Sequence, residues 1–80
     1  MNKLATITAD KYDTLVKRLD YCKNVLRLEI AEKIQTAIKE GDLGEISSYS
    51  DAKKAHIILE REIMELEYCI NQFEAMKKAE

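Results

Sequence analysis

The chain has 80 residues, enough for one small domain, and a compact core of that size is marginal without staples or idealised packing. It is 46% hydrophobic and 35% charged, with no Pro and only two Gly, a composition that favours long helices over disorder. Fifteen acids against thirteen bases give a formal charge of -2, which excludes a general polycationic surface for duplex DNA or an anionic membrane.

No stretch approaches the roughly 20 apolar residues of a bilayer span, and the first ten residues lack the apolar run of a signal peptide. A soluble cytoplasmic protein with no membrane partner is therefore expected. Cys22 and Cys69 have neither zinc-knuckle nor Cys-x-x-Cys spacing, so reduced thiols are the expectation.

The opening "MNKLATIT" alternates only in part and reads as a short extended lead-in. Thr8 can accept a hydrogen bond from a first-turn amide, and Asp10 follows where a negative charge suits the positive end of a helix. From Tyr12 the apolar residues Leu15, Leu19, Cys22, Leu26, Ile30, Ile34 and Ala37 recur three or four apart. An uninterrupted helix of about 31 residues, about 47 Å long at 1.5 Å per residue, argues for a coiled-coil arm. Gly41 closes it in the left-handed conformation, with Lys39 placing a favourable charge in the last turn. The expected spans are helix one at about 9–40, a tip at 41–47 and helix two at about 48–78.

The tip holds Asp42 and Glu45, three residues apart, which share a side if the segment makes a helical turn. Two carboxylates are too few for a dedicated magnesium site, so any such site must be completed in trans. Equally, Asp42 can cap a turn and Glu45 can lie near a helix start. Leu43 and Ile46 are apolar at this tip, closing the hairpin end or inserting into a partner. Ser47 or Ser48 can cap the second helix, with Asp51 beyond.

The second stripe, Tyr49, Ala52, His56, Leu59, Ile63, Leu66, Ile70 and Phe73, has the same period. Folding back brings Ala37 near Ala52, Ile30 near Leu59, Leu26 near Ile63 and Leu15 near Phe73. The expected fold is all-α, a long antiparallel two-helix coiled-coil hairpin. His56 falls in the seam as a polar register marker, and Tyr49 packs across the neck. Lys53 and Lys54, with Lys39 and Lys33, are the local basic candidates near the tip, either routine surface lysines or phosphate contacts. Val16, Val25, Ile38, Ile57, Ile58 and Met64 broaden the apolar surface, which leaves a homo-oligomer open.

The segment "EGDLGEISSYSDAK", Glu40 to Lys53, resembles the bacterial Gre transcript cleavage factors, GreA more than GreB. Their pattern is approximately E-G-D-L-x-E-N-x-E-Y-x-x-A-K, matched by Glu40, Gly41, Asp42, Leu43, Glu45, Tyr49, Ala52 and Lys53. The similarity extends to Thr8, Ala9, Tyr12, Leu15, Leu19, Glu29, Ile30, Ile34 and Ala37. Ile46 stands where the family has Asn, and Ser48 where it has Glu. Gre factors also carry a C-terminal FKBP-like domain with no counterpart in this sequence, which fits an excised domain or a single-domain relative.

The resemblance implies a hairpin that enters the secondary channel of bacterial RNA polymerase and modulates transcription elongation. Asp42 and Glu45 would then be accessory catalytic residues in trans, sharing a magnesium ion with the polymerase while the 3′ end of backtracked RNA is cleaved. Leu43, Ile46, Tyr49, Lys53 and Lys54 would form the tip and binding surface. On this reading the chain is not itself an enzyme and has no intrinsic cofactor. Two alternatives stand beside it. The hairpin could occupy the channel without catalysis, as Ile46 and Ser48 suggest, or it could be a structural oligomerisation hairpin.

Overall fold

The structure, a computed structural model, describes residues 9–79; the lead-in and Thr8 lie outside the described residues. Helix α1 spans Ala9–Tyr21, a π-helical turn spans Cys22–Leu26, and α2 spans Arg27–Glu40. Helix α3 spans Ser48–Ala79 and returns along the first arm, and no strand occurs among the described residues. The two arms make an all-α hairpin with extents of 55 × 23 × 16 Å. The two stripes predict that fold, because neither amphipathic arm can cover its apolar side alone.

The core is one seam. Cys22, Leu59, Ile63 and Leu66 are buried together, with Leu15, Leu19, Leu26 and Ile30 packed against them. Ile63 and Cys22 are the largest fully enclosed side chains. Burial pushes the Cys22 thiol up, and the nearby Glu62 carboxylate adds to this. Both cysteines are free. Toward the tip the seam narrows to Ala37 and Ala52, both buried. At the far end, Tyr12 is the ring partner of Phe73, with centroids 4.7 Å apart, and its hydroxyl donates to Glu74 Oε1 at 2.8 Å.

The first arm is not the uninterrupted α-helix that the sequence predicts. The Arg27 amide donates to the Cys22 carbonyl, five residues back, closing a π turn. The apolar spacing supplies the reason. Cys22, Leu26, Ile30 and Ile34 are separated by three successive intervals of four, and each interval overshoots a full α-helical turn by about 40°. Left uncorrected, the stripe would wind about 120° around the arm and leave α3. A π turn holds about one extra residue and takes out most of that drift. The count agrees: Leu15 to Ala37 is one residue longer than three heptads, whereas Ala52 to Phe73 is three heptads.

Ion pairs border the seam. Arg18 meets Glu62 through two hydrogen bonds of 2.6 and 3.0 Å, and Arg27 meets Glu60 through two of 2.9 and 2.7 Å. Lys23 Nζ lies 2.9 Å from Glu67 Oε2. All are partly open to solvent, so their worth is in fixing orientation and register more than in stability. His56 does not lie in the seam as expected. Half of its side-chain surface is exposed, and Nε2 sits 3.8 Å from Glu60 Oε2. At 100° per residue His56 lies about 50° from the centre of the buried stripe of Leu59, Ile63, Leu66 and Ile70, which puts it at the flank, one turn before the Glu60 that holds Arg27.

Candidate functional site: the hairpin tip

Two interlocking caps build the tip. Gly41 adopts φ 72° and ψ 19°, a conformation that glycine enters without a Cβ penalty. Its amide donates to the Ile38 carbonyl at 3.1 Å, and the Asp42 amide donates to the Ala37 carbonyl at 3.0 Å. This is the paired 5→2 and 6→1 bonding of a Schellman motif, and it satisfies two of the carbonyls left open at the end of α2.

Between the two sequence candidates for capping α3, the structure selects Ser47. Its hydroxyl accepts from the Ser50 amide at 3.1 Å and donates to the Gly44 carbonyl at 2.6 Å. The Asp51 amide donates to the Ser47 carbonyl at 3.0 Å, the first bond of α3. Ser47 is also buried, the one polar residue to be so among those described. Ser48 instead begins the helix. Its amide donates to Asp42 Oδ2 at 3.0 Å, so the carboxylate reaches across the loop to the positive end of α3.

That contact defines the chemical state of Asp42. The Ser48 amide, and after it the Ser48 hydroxyl, hold its carboxyl below the usual carboxylate range, against a smaller effect of desolvation. Asp42 is ionised and fixed in direction, with its second oxygen free of this bond. Glu45 lies in the exposed loop and makes no ion pair or hydrogen bond among the described residues. The helical turn that would align the two carboxylates by spacing does not form, because residues 42–47 bend without helical repeat. Asp42 is held by the Schellman turn and the α3 terminus, whereas Glu45 rides on the bend beyond them.

The other tip residues divide in the same way. Ile46 is fully exposed and Leu43 about half exposed, so both present apolar surface outward and do not close the hairpin end. Tyr49 is half-buried at the neck, and Lys53 Nζ stands 5.8 Å from its ring centroid. Lys54 is exposed and makes no ion pair among the described residues. Lys33 lines an open groove of about 710 Å³ behind the tip, with Glu29, Glu32, Glu40 and Asp51 around the floor of Ala37 and Ala52. This acidic neck was missed at the level of sequence. Its signal was there in the facing small residues Ala37 and Ala52, which leave room between arms whose flanking positions are acidic.

Among the described residues, no group of three or more His, Cys, Asp or Glu side chains is placed to hold a metal. The oxygen donors of Asp42 and Glu45 suit magnesium in kind and fall short of its six-coordinate demand in number. Nor is any helix among the described residues long and apolar enough to cross a membrane.

Comparison with known proteins agrees with the tip motif. The GreA/GreB family profile described as "Transcription elongation factor, N-terminal" matches residues 5–74. Transcription elongation factor GreA of Clostridioides difficile is 39% identical over 71 residues, covering 89% of this chain and 45% of that protein. GreA of Clostridium novyi is 35% identical over 79 residues, covering 99% of this chain and 50% of that protein. GreA of Metamycoplasma arthritidis is 34% identical over 71 residues, covering 89% and 45% respectively. The chain thus spans about half the length of the curated relatives it matches. No solved structure matches it at a significant level. With the profile covering both arms and the tip, the chain belongs to the GreA/GreB transcription elongation factor N-terminal family.

Proposed function

We propose that this hairpin is a tip-first probe of bacterial RNA polymerase, inserted through the secondary channel to modulate transcription elongation. The observation that carries the reading is a rod 55 Å long and 16 Å in its narrowest extent whose two motif carboxylates, Asp42 and Glu45, sit at the turn. Supporting it, the similarity to GreA proteins spans both arms and the tip.

In this reading the tip delivers carboxylate oxygens to a site assembled mostly by the polymerase. Asp42, kept ionised by the Ser48 amide, presents its second oxygen in a fixed direction. Glu45 is the adaptable member, able to orient a water or complete a ligand shell. A magnesium ion shared with the polymerase would supply Lewis-acid stabilisation during phosphodiester hydrolysis at the 3′ end of backtracked RNA. The chain is then an accessory to that hydrolysis. Lys53 and Lys54 stand one to two turns into α3, where they can meet RNA phosphates.

The test uses backtracked bacterial elongation complexes with magnesium. Added chain is expected to accelerate shortening of the RNA from its 3′ end, and the Asp42→Ala/Glu45→Ala pair to remove the acceleration. No change in cleavage with intact chain overturns the activating form. Full exposure of Ile46 favours a second reading, in which an apolar tip occupies the channel without catalysis. Competition with a full-length GreA for polymerase, with no RNA shortening, is the result that selects it.

A further inference from the structure

The side of α3 turned away from the first arm is not a plain solvated face. It carries Ile57, Met64 and Tyr68, with 57%, 70% and 62% of their surface exposed. At 100° per residue these three and Arg61 fall within about 60° of one another, opposite Leu59, Ile63, Leu66 and Ile70. A row of large apolar side chains on the outer face of a helix already paired on its inner face is an unpartnered surface. Beside the row lies a shallow depression of about 530 Å³, lined by Ile57, Arg61, Met64 and Glu65 together with His56 and Glu60.

Two features select the occupant. The positions 57, 61, 64 and 68 are spaced four, three, four, a pattern that reads the same in both chain directions. A second copy laid antiparallel, with the two-fold axis between Glu62 and Ile63, sets Ile57 level with Tyr68 of the other copy and Arg61 level with its Met64. The depression beside Ile57 is then where that Tyr68 ring seats.

The charges have the same symmetry. Arg61 and Glu65 share one flank of the row, and neither makes an ion pair among the described residues. Arg before Glu is the weaker order for a pair within one helix. The antiparallel copy brings each Arg61 within one residue's rise of the other copy's Glu65, making two reciprocal pairs. Arg18, Lys23 and Arg27, by contrast, are already paired inside the hairpin.

We infer that the outer face of α3 is a self-association surface on which a second copy of this chain docks antiparallel, Tyr68 of each copy against Ile57 of the other and Arg61 against Glu65. One helix face of about three turns is less than the roughly 800 Å² per partner of a standard interface, so the dimer is weak and concentration-dependent. The inference does not rest on the polymerase reading.

Sedimentation velocity across a hundredfold concentration range tests it, with circular dichroism to verify that each variant remains folded. The chain is expected to pass from monomer to dimer mass. Arg61→Glu and Glu65→Arg should each weaken the dimer about tenfold, and the double exchange should restore it. Tyr68→Ser should weaken it, and Leu28→Ser, on the other arm, should not. A monomer at every concentration overturns the inference, as does a dimer indifferent to Arg61→Glu and Tyr68→Ser. Failure of the double exchange to restore association overturns the antiparallel register.

Discussion

Deleting Asn24 tests why the first arm contains a π turn. Asn24 is exposed, and its amide donates to Asp20 Oδ1 at 2.6 Å, an interaction across one turn of helix surface. Losing it costs about 0.2–0.5 kcal/mol. If the π turn holds one surplus residue, deletion converts it to ordinary α-helix, and Leu15 to Ala37 then spans three heptads like its counterpart on α3. The net change should stay within about 1 kcal/mol. If the π turn does not serve this purpose, the deletion rotates α2 by about 100° relative to α1. Leu26 and Ile30 then leave the seam, at roughly 1.5–3 kcal/mol each, a large share of the stability of a small domain. Deleting Glu65 from α3 is the control, because that arm has no surplus: Leu66 and Ile70 would leave the seam at a similar combined cost. Urea denaturation followed by far-UV circular dichroism reads both, with stability taken from the midpoint and slope. Loss of stability on deleting Asn24 equal to that on deleting Glu65 would refute the account of the π turn.

The tip and the ion pairs give two further expectations. Ser47→Ala removes the α3 cap and should cost about 1 kcal/mol in the same denaturation, whereas Ser48→Ala, which leaves the Ser47 cap in place, should cost less. The carboxyls of Asp42, Glu60 and Glu62 all titrate below their ordinary range when folded, through the Ser48 amide, Arg27 and Arg18 respectively. The unfolded chain therefore takes up protons first as pH falls, so their stabilisation is complete above about pH 5 and lost as pH drops through the folded values. Thermal melts should show a falling midpoint on the acid side, and Asp42→Asn should flatten part of that fall. Added salt should reduce the share owed to Glu60 and Glu62, whose arginine partners are open to solvent.

Much of the hairpin was legible because it depends on periodicity. Two apolar stripes of nearly matching length separated by a glycine turn have one economical solution, and buried Leu59, Ile63, Leu66 and Ile70 lie where the second stripe puts them. The left-handed Gly41 was legible for the same kind of reason, since position and residue type together left few options. The π turn was encoded too, in the run of fours from Cys22 to Ile34, but it emerges only when drift is summed over several turns. His56 stands at the edge of the stripe. Periodicity assigned it to the seam, but at 100° per residue it lies about 50° from the centre of the Leu59, Ile63, Leu66 and Ile70 stripe, and its side chain is half exposed.

The tip was legible in composition and not in geometry. Spacing could say that Asp42 and Glu45 share a face only if the loop were helical. Whether Asp42 would reach the Ser48 amide depends on how two caps close against each other, a three-dimensional outcome with no periodic signature. The same closure leaves Ile46 fully outside, where an Asn in the family pattern would have been a hydrogen-bonding residue.

The most direct test of the central claim is where the tip goes. A photo-crosslinking amino acid at Ile46, the most exposed tip position, should attach to polymerase segments lining the active centre in a backtracked complex, and the same group at Lys77, near the opposite end of α3, should not. Adducts from position 46 confined to the polymerase's outer surface, or appearing only from position 77, would contradict insertion of the hairpin tip first.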